Sequence, residues 1–503
     1  LRGTGDSGGE LMPWAHATED AVDTVNWIAK QPWSNGRVGT YGCSALGETQ
    51  LVAQHAAPDA WRAMIVSGGG GAVGSLDDRH TYGFFEGGIF QLASGFGWFV
   101  DSGSKRPDAA PAMRFDRAAK VRELPIAGLV ESVRPAASGY TEYMNTPFGD
   151  PKWREWGFLG NDSRMRVPTL VINTWGDQTL QDTLALAEHW TRADPEGTHG
   201  RQKVIITPGK HCGHDEAGQT EKFGALKVAN AALSYRQIYL KWFDYWLRGE
   251  GDALSDMSPY TYYVVGADAW RTSESWPPAE SKPERWYLGS SGSANSRDGN
   301  GTLALSGDSR AASDTLRYDP NDPVPTRGGP ICCTGNHEEP QGPVDQADVE
   351  VRKDVLVYTT APMTSDMWIA GPLKATLVVS SDAKDTDLVA RLVHVWPDGR
   401  ATSIQEGALR LRYRDGFTSP KLLNPGESVR VTVDMRSIAY RIPKGHRLRL
   451  DVTSSCFPRL ERNLNTGSNN FTETNSVVAT NTIHYGLAGG SWLELPILPS
   501  PQD

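Results

Sequence analysis

The spacing of apolar positions alternates between strand-like and helix-like patterns in two separate parts of this chain. In residues 1–72, the apolar runs 38–41 and 63–67 have the length of buried strands, and residues 19–31 carry apolar side chains on one helical face. Residues 167–255 repeat this alternation. Strands that alternate with helices predict a parallel sheet with helices on its faces. We therefore predict an α/β core that is assembled from both parts of the chain.

Two other regions have different patterns. The segment between the two core parts lacks the alternation and is rich in aromatic residues, so we predict a mostly helical cap over the site. After the second core part, polar and apolar residues alternate with a period of two, most clearly in residues 429–435 and 447–452. This pattern predicts an antiparallel β-sandwich. The predicted fold class is α/β plus all-β, in four segments: 1–72, 73–166, 167–255 and 256–503.

The composition fits a large soluble enzyme and excludes several other classes of protein. The net charge is −10 with both signs dispersed, so the sequence has neither the basic stripe of a nucleic-acid-binding protein nor the polybasic run of a membrane-bound one. No apolar run approaches the roughly 18 residues of a membrane span. We expect a small-molecule substrate as the partner. The sequence does not decide between cytoplasmic and secreted localisation, or whether copies of the chain associate.

A run of small residues places a serine at a sharp corner between a predicted strand and a predicted helix. Gly42 and Gly47 flank Ser44 with the spacing G-x-S-x-x-G, and residues 45–57 have the pattern of a helix. Glycines are needed where the backbones of strand and helix approach closely. Such a corner exposes the hydroxyl as a nucleophile. It also puts the N–H of Ala45 at the start of the helix, where it can stabilise an oxyanion.

An aspartate and a histidine follow two later predicted strands. Asp177 comes shortly after the apolar run 167–173, and His211 comes shortly after the run 203–207. A serine nucleophile needs an imidazole to accept its proton and a carboxylate to orient that imidazole. The carboxyl ends of parallel strands converge at one edge of a sheet, and the order Ser, Asp, His is the chain order of α/β-hydrolases. We predict a catalytic triad of Ser44, Asp177 and His211.

Each of the two partners of the serine has a neighbouring rival. Asp182 lies inside the predicted helix 180–194, where a solvated or capping role suits it better than contact with the histidine. His214 is close enough in sequence for a movable loop to bring either imidazole to the serine. Loop geometry favours Asp177 and His211 in both cases.

Five cysteines are too few for a disulfide framework in a chain of this length. Cys43 and Cys212 adjoin the predicted nucleophile and base, and we expect them to be small packed residues rather than a disulfide. Cys332 and Cys333 are adjacent, with two thiols as the default expectation and a vicinal disulfide as the alternative. No cysteine has the paired spacing of a zinc site. We expect neither a metal nor another cofactor.

Further motifs occur in order along the chain. They are W-G-D at 175–177, P-x-x-H at 208–211, WFDYWLRG at 242–249, SDAKDTD at 381–387, PDGR at 397–400 and FPR at 457–459. Together with the Ser44 corner, they resemble the cocaine esterase and Xaa-Pro dipeptidyl-peptidase group of serine hydrolases over nearly the whole chain. The resemblance implies an α/β-hydrolase core, an inserted cap and a C-terminal jelly roll like a galactose-binding module that packs on both.

Two departures from this family concern the oxyanion site. The family usually has tyrosine directly after the nucleophile, whereas Ala45 stands here and retains only the backbone N–H. Residues 1–9 resemble a loop that the family places after several strands of its catalytic domain. The resemblance therefore implies that the first strands, and a tyrosine that donates to the oxyanion, are missing from this chain. We expect a companion N-terminal chain that completes the sheet and the oxyanion hole.

The substrate pocket is expected to use the cap and the loops of the core. The candidates for lining it are Phe84 and Phe85 of the cap, Asp78 near the cap entrance, and Trp175. Relatives that recognise an α-amino group have acidic residues directly after the triad aspartate, and this chain has Gln, Thr and Leu at 178–180. One remaining acid cannot replace such a cluster, so a charged amine substrate is disfavoured.

The sequence thus predicts a serine hydrolase that cleaves an ester or amide of a bulky acyl compound through an acyl-enzyme on Ser44. Two alternatives stay open. One is a Xaa-Pro dipeptidyl-peptidase, which requires a pocket for a free amino terminus. The other is a catalytically inactive binding or scaffold protein with a hydrolase fold.

Overall fold

A computed structural model describes the chain at residues 2, 6–102, 113–134, 138–250, 254–307, 310–335, 340–486 and 490–500. The expectation of a companion chain was drawn from residues 1–9, of which residues 1 and 3–5 lie outside the described residues.

The α/β core is built on a six-stranded sheet. Its strands, in chain order and in spatial order, are β1 (Val38–Cys43), β2 (Trp61–Ser67), β3 (Thr169–Thr174), β4 (Gln202–Thr207), β5 (Tyr260–Val264) and β6 (Ala269–Ser273). The first five strands run parallel, and β6 pairs antiparallel with β5. Every residue of β3 and β4 is buried, as expected of parallel strands that are covered on both faces.

The last two strands of this sheet lie beyond the predicted boundary of the core. That boundary assigned everything from residue 256 onward to the sandwich, but Tyr260 of β5 pairs with Val204 of β4. The assignment of these strands was wrong because a period of two indicates a strand without indicating which sheet the strand joins.

The helices of the core come from both parts of the chain. They are Ala17–Ala29, Ala45–Ala53, Leu180–Ala193, Pro195–Thr198, Glu216–Thr220 and Tyr235–Phe243, the last of which continues as a π-helical turn over Asp244–Arg248. A 3₁₀ turn over Gln54–Ala56 extends the second helix to just before Pro58. Two short strands, Lys222–Phe223 and Leu226–Lys227, form a hairpin. No helix in the described part of the chain is long and apolar enough to cross a membrane.

The cap lies between β2 and β3 in the chain. Its helices are Leu92–Ser102, Arg117–Lys120, Leu129–Val133, Tyr140–Asn145 and Lys152–Glu155. Its short strands pair as Val73–Ser75 with Leu159–Gly160 and as Phe85–Glu86 with Ile89–Phe90. Aromatic rings fill its interior: Tyr82 stacks on Trp153 with ring centroids 4.0 Å apart. Much of the aromatic content of the cap therefore serves its own core.

The C-terminal part of the chain forms a β-sandwich. Its strands are β7 (Lys282–Gly289), β8 (Thr302–Ala304), β9 (Ala312–Tyr318), β10 (Leu356–Thr359), β11 (Met367–Ser381), β12 (Asp387–Val395), β13 (Ala401–Arg410), β14 (Val429–Ile442), β15 (Arg447–Thr453), β16 (Ala479–Tyr485) and β17 (Trp492–Leu498). They pair in the order β9-β16-β11-β17-β7-β8-β10-β15-β12-β13, and β14 pairs with β11. Val431, Val433 and Met435 of β14 are buried while the residues between them are more exposed, as the alternation predicted.

The sandwich packs tightly against the core and the cap. One cluster of buried apolar side chains contains Val171 of β3 together with Leu377 of β11. Glu86 of the cap accepts charged hydrogen bonds from two sandwich arginines, Arg436 at 2.6 Å and Arg459 at 2.7 Å. The apolar cluster thus joins the sandwich to the core, and the ion pairs of Glu86 join it to the cap.

Candidate active site

Ser44 lies at a strained corner between β1 and the helix Ala45–Ala53. Its φ of 56° and ψ of −130° form a backbone conformation that is costly for a residue with a side chain. The N–H of Ser44 donates to the carbonyl oxygen of Ser67 on the neighbouring strand at 2.9 Å. A Cβ atom on Gly42 would lie only 2.4 Å from the Cβ of Leu46. The close approach of strand and helix that the sequence predicted is confirmed.

The imidazole of His211 lies between Ser44 and Asp177. Its Nε2 is 2.9 Å from the Oγ of Ser44, and its Nδ1 is 2.8 Å from the Oδ2 of Asp177. Both distances are those of hydrogen bonds. With the proton on Nδ1, the ring donates to the carboxylate and leaves the Nε2 lone pair to accept the serine hydroxyl. The three residues that the sequence selected thus meet at the ends of β1, β3 and β4.

Burial and charge act in opposite directions on the aspartate and the histidine. Asp177 is 1% exposed. Burial alone would raise the pKa of this carboxyl, but the charge of His211 and hydrogen bonds from Thr179 hold the pKa below its usual value. Burial alone would lower the pKa of His211, but the charge and hydrogen bond of Asp177 raise it to about 9. The carboxylate therefore stabilises the protonated imidazole.

Side chains of the sandwich support the loop that carries Asp177. Gln405 donates to the carbonyl oxygen of Trp175 at 2.9 Å, and Arg436 donates to the carbonyl oxygen of the residue after Asp177 at 2.6 Å. The indole N–H of Trp175 donates to the carbonyl oxygen of Tyr263 at 2.8 Å, and the ring is buried. The prediction that Trp175 lines the pocket was wrong, because its side chain packs into the core beneath the loop.

A pocket opens beside Ser44 and His211. Its wall is rich in aromatic side chains and includes the predicted Phe84. The aromatic residues that line it are Trp14, Tyr82, Phe84, Trp98, Phe99, Tyr143 and Phe158. Except for Trp14, which precedes the first core helix, all of them belong to the cap.

Two predicted pocket residues lie elsewhere. Phe85 and Asp78 line a separate cavity of about 650 Å³ between the cap and the sandwich. Phe85 is buried in the aromatic core of the cap, with its ring centroid 5.6 Å from that of Phe90. Asp78 lies in a turn in which both Asp77 and Asp78 have positive φ. Neither residue lines the pocket beside Ser44, so their assignment to it was wrong.

The two rival residues have other environments. The imidazole of His214 packs edge-on against the ring of Tyr235, with centroids 4.5 Å apart. Asp182 lines the larger cavity and is buried, so it is not solvated as predicted. Burial raises the pKa of Asp182 to about 6, although the charge of Arg79 acts in the opposite direction.

Glu48 is a carboxyl group of the pocket that the sequence patterns did not single out. It lies one helical turn after Ser44 and is 7% exposed. Burial raises the pKa of Glu48 to about 8, although the charge of His211 opposes this shift. A Cβ atom on Gly71 would lie 2.1 Å from the Oε1 of Glu48, so glycine there makes room for the carboxyl group. Residues four apart share a helical face, and this spacing was visible in the sequence.

Cys43 and Cys212 form a disulfide, contrary to the expectation of two packed thiols. Their Cα atoms are 5.8 Å apart, within the range that a disulfide spans. Cys43 precedes Ser44 and Cys212 follows His211 in the sequence. Contact between the serine and the histidine places the two cysteines in the same region, and the expectation gave this too little weight.

Comparisons with known proteins cover almost the whole chain. The family of X-Pro dipeptidyl-peptidases (S15 family) matches residues 1–213, and the X-Pro dipeptidyl-peptidase C-terminal non-catalytic domain matches residues 245–493. Cocaine esterase of Rhodococcus sp. (strain MB1 Bresler) is 32% identical over 523 residues, which cover 99% of this chain and 87% of that protein. The chain belongs to the cocaine esterase and X-Pro dipeptidyl-peptidase family. The resemblance stated from the motifs is confirmed, and the chain is a member of a family of serine hydrolases.

Solved structures agree with this family's fold. An aminopeptidase from the marine sediment archaeon Thaumarchaeota archaeon superposes with a TM-score of 0.86 at 23% identity, covering 99% of this chain and 84% of that one. An α-amino acid ester hydrolase superposes with a TM-score of 0.82, with the same identity and the same coverage. The fold class predicted from the sequence, an α/β-hydrolase core with a C-terminal β domain, is confirmed.

Proposed function

We propose that this member of the cocaine esterase family cleaves an ester or amide of a bulky acyl compound through an acyl-enzyme on Ser44. The observation that carries the proposal is the position of His211, which is within hydrogen-bond distance of both the Ser44 hydroxyl and the Asp177 carboxylate. An imidazole that is oriented in this way can accept a proton on one nitrogen while the carboxylate stabilises the resulting charge.

The proposed reaction begins when Ser44 Oγ attacks the substrate carbonyl and His211 Nε2 takes the hydroxyl proton. The imidazolium then gives this proton to the leaving alcohol or amine, which departs and leaves the acyl group on the serine. The N–H of Ala45 donates to the oxyanion. As the first N–H of its helix, it has no intrahelical acceptor and is free for this role. Water resolves the acyl-enzyme, with His211 again as the base.

The aromatic wall of the pocket supports a bulky, apolar acyl group. Phe84, Trp98 and Phe99 of the cap line the same cavity as Ser44. Aromatic side chains contribute large apolar areas, and a ligand pocket of this kind is mostly apolar with few polar groups. We therefore expect aryl or branched acyl groups to be turned over faster than acetyl groups.

Steady-state hydrolysis of a substrate panel tests this proposal. Aryl esters with acetyl, benzoyl and phenylacetyl groups, the matching anilides and Xaa-Pro anilides are compared for the wild type and Ser44→Ala. We expect the benzoyl and phenylacetyl esters to be cleaved fastest, with Ser44→Ala inactive and an acyl adduct on the Ser44 peptide after acid quenching. Full retention of activity by Ser44→Ala would refute the proposal. Absence of both hydrolysis and adduct would favour an inactive scaffold.

One observation favours a second candidate, the hydrolysis of esters or amides whose acyl group carries an amine. Glu48 lines the same pocket and is buried near His211. A substrate ammonium would supply the cationic partner that favours the ionised carboxylate. The argument against amine substrates was based on the residues at 178–180 and did not include Glu48. The same preference would extend to a free peptide amino terminus.

A matched pair of substrates separates the two candidates. Phenylglycine methyl ester and phenylacetic acid methyl ester differ in the amino group and little else. If Glu48 binds the amine, Glu48→Gln lowers kcat/KM for the first ester at least tenfold and leaves the second within about threefold. Equal effects on both esters would remove the amine-bearing candidate and leave the first proposal intact.

A further inference from the structure

Two cysteines of the sandwich lie beside the histidine of the candidate active site. Cys332 is buried and Cys333 is half-buried, and both line the pocket that contains Ser44 and His211. Their sulfur atoms are 2.6 Å apart, and neither forms a disulfide in this structure. One sulfur from each cysteine and one ring nitrogen of His211 all lie within 4.8 Å of one another.

These three side chains form a donor set with a definite chemical preference. Two sulfurs and one imidazole nitrogen are ligands that zinc, cadmium and other soft divalent cations bind well, whereas calcium and magnesium prefer oxygen. A zinc ion binds sulfur at about 2.3 Å and imidazole nitrogen at about 2.0 Å. Tetrahedral coordination separates the two sulfurs by roughly 3.8 Å, so one cysteine side chain has to turn outward before both can bind.

The histidine is already oriented as metal-binding histidines are. Nδ1 of His211 faces the carboxylate of Asp177 at 2.8 Å, which leaves Nε2 with its lone pair toward the pocket. Histidine ligands of metals commonly donate their second ring N–H to a carboxylate in this way. The Oγ of Ser44, 2.9 Å from Nε2, lies beside the same lone pair. A cation on Nε2 would therefore take the electron pair that the serine proton needs.

The remaining cysteines of the chain do not compete for this role. Cys43 and Cys212 are joined to each other. Cys456 is a free thiol but is buried in the sandwich, where its sulfur is 3.7 Å from the hydroxyl of Thr326 and 3.6 Å from a guanidinium nitrogen of Arg391. Cys456 thus provides a matched control, because it is a buried thiol of the same domain that does not face the pocket.

We propose that Cys332, Cys333 and His211 bind one soft divalent cation such as Zn²⁺ or Cd²⁺, and that the bound cation blocks hydrolysis by occupying Nε2. Each thiol that binds loses its proton to solvent, so one M²⁺ ion binds with release of two protons and no change of oxidation state. Water or the Ser44 oxygen completes the coordination. The binding itself is independent of the proposed function, and only the inhibition rests on it.

Cadmium titration of the purified chain tests the binding directly. Thiolate-to-cadmium absorption in the ultraviolet is followed against added Cd²⁺, after the free thiols have been counted with a chromogenic disulfide. We expect three free thiols in the unfolded protein, one cadmium per chain, and loss of the absorption in Cys332→Ser and Cys333→Ser. Cys456→Ser and Ser44→Ala should bind as the wild type does. No absorption in protein with three thiols, or a chain in which Cys332 is bonded to Cys333, would overturn the proposal.

Hydrolysis of an aryl ester gives the second readout. We expect Zn²⁺ or Cd²⁺ to inhibit the wild type and Cys456→Ser equally, with recovery on addition of a chelator. Cys333→Ser should need at least tenfold more metal for the same inhibition. Stoichiometric cadmium binding without inhibition would refute the part of the proposal that places the ion on Nε2. A protein that binds cadmium but hydrolyses no ester contradicts the proposed function and leaves the metal site supported.

Discussion

The sandwich and the pocket both bury ionisable side chains, and these side chains differ in whether an opposite charge lies beside the buried group. In the sandwich, Arg391 pairs with Glu406 at 2.7 Å, and Arg410 pairs with both Asp387 and Glu461 at 2.9 Å and 2.8 Å. In the pocket, Glu48 is buried without a salt bridge among the described residues, and the pKa of its carboxyl is raised to about 8 because of this burial. These sandwich arginines balance the carboxylates beside them, although Asp451 of the sandwich is buried without a hydrogen-bond partner among the described residues. The pocket has a carboxyl group that titrates near neutral pH.

This difference shows what each region is built to do. A buried charge whose partner is removed is strongly destabilising, so balanced pairs fix one arrangement of strands and domains. Glu86 connects the cap to the sandwich in this way, through Arg436 and Arg459. A buried carboxyl group without such a partner lowers stability when it ionises, and it remains available to a ligand. Perturbed groups of this kind concentrate at functional sites.

The largest expected effect is a difference in kcat between substitutions of two buried aspartates that are five residues apart. Asp177→Asn removes the charge that holds His211 and should lower kcat by about 10⁴-fold while the protein stays folded. Asp182→Asn changes a carboxyl group of the larger cavity and should keep kcat within about threefold. Steady-state kinetics with an aryl ester, supported by circular dichroism, checks both. Equal losses in the two variants would contradict the role given to Asp177.

Breaking a balanced charge between the cap and the sandwich should lower stability rather than rate. Glu86→Gln removes the carboxylate that Arg436 and Arg459 share, while Arg459 keeps its ion pair with Glu406, and should reduce the free energy of unfolding by about 3–5 kcal/mol. Urea unfolding measures the change. Asp348→Asn, which breaks the exposed ion pair of Arg327 and Asp348, serves as the control and should have no measurable effect. An equally stable Glu86→Gln variant would show that the paired charges do not hold the cap to the sandwich.

The close packing around the triad can be tested at Gly68. Its φ is +55°, and a Cβ atom there would lie 3.0 Å from Asp177 Oδ2 and 3.3 Å from His211 Cε1. Gly68→Ala should displace these groups and lower kcat by up to about 100-fold. Gly399→Ala is the matched control, because Gly399 also has a positive φ of +90° but nothing within 4 Å of a new Cβ atom. If both substitutions lower kcat equally, contact with the triad is not the cause.

Titration of Glu48 should make the stability of the protein depend on pH. The pKa of its carboxyl group is about 8 in the folded protein, whereas its ordinary value is 4.5. The unfolded chain therefore loses its proton first as the pH rises, and the folded wild type loses stability between about pH 4.5 and pH 8. Glu48→Gln should raise Tm relative to the wild type at about pH 8.5 and have little effect near pH 4.5. A difference in Tm that is independent of pH would contradict the buried, neutral carboxyl group.

The same variant tests the electrostatic coupling to His211. The charge of Asp177, and more weakly that of Glu48, raises the pKa of His211 to about 9. Only the neutral imidazole accepts the serine proton, so kcat/KM should rise with pH through this ionisation. Glu48→Gln should move that rise to lower pH, whereas Glu123→Gln at an exposed position should not. An unchanged profile in Glu48→Gln would show that the two groups are not coupled.

Much of the site followed from the sequence because its residues occupy predictable places. Ser44, Asp177 and His211 each come just after a strand whose apolar run could be recognised, and the ends of parallel strands meet. Glu48 was within reach of the same reasoning, since it shares a helical face with Ser44. The Cys43–Cys212 disulfide was not predicted, because contact between Ser44 and His211 places the two cysteines in one region without fixing the separation of their Cα atoms.

Other parts of the site depend on contacts that no local pattern contains. Cys332 and Cys333 line the pocket only because the sandwich packs against the core and the cap. The hydrogen bond from Gln405 to the loop that carries Asp177 depends on the same packing. The cap aromatics illustrate a second limit. Phe84 and Phe85 are adjacent and chemically identical, yet they line different cavities because of the local chain path. Helical and strand periodicity fix neither of these features.

The central claim is that His211 activates Ser44, and fluorophosphonate labelling measures this directly. The phosphonate should attach once per chain, at Ser44, with a rate that rises with pH through the ionisation of His211. Ser44→Ala should not be labelled, and His211→Ala should be labelled at least about 10³-fold more slowly. Attachment at another residue, or an equal rate in His211→Ala, would contradict the account.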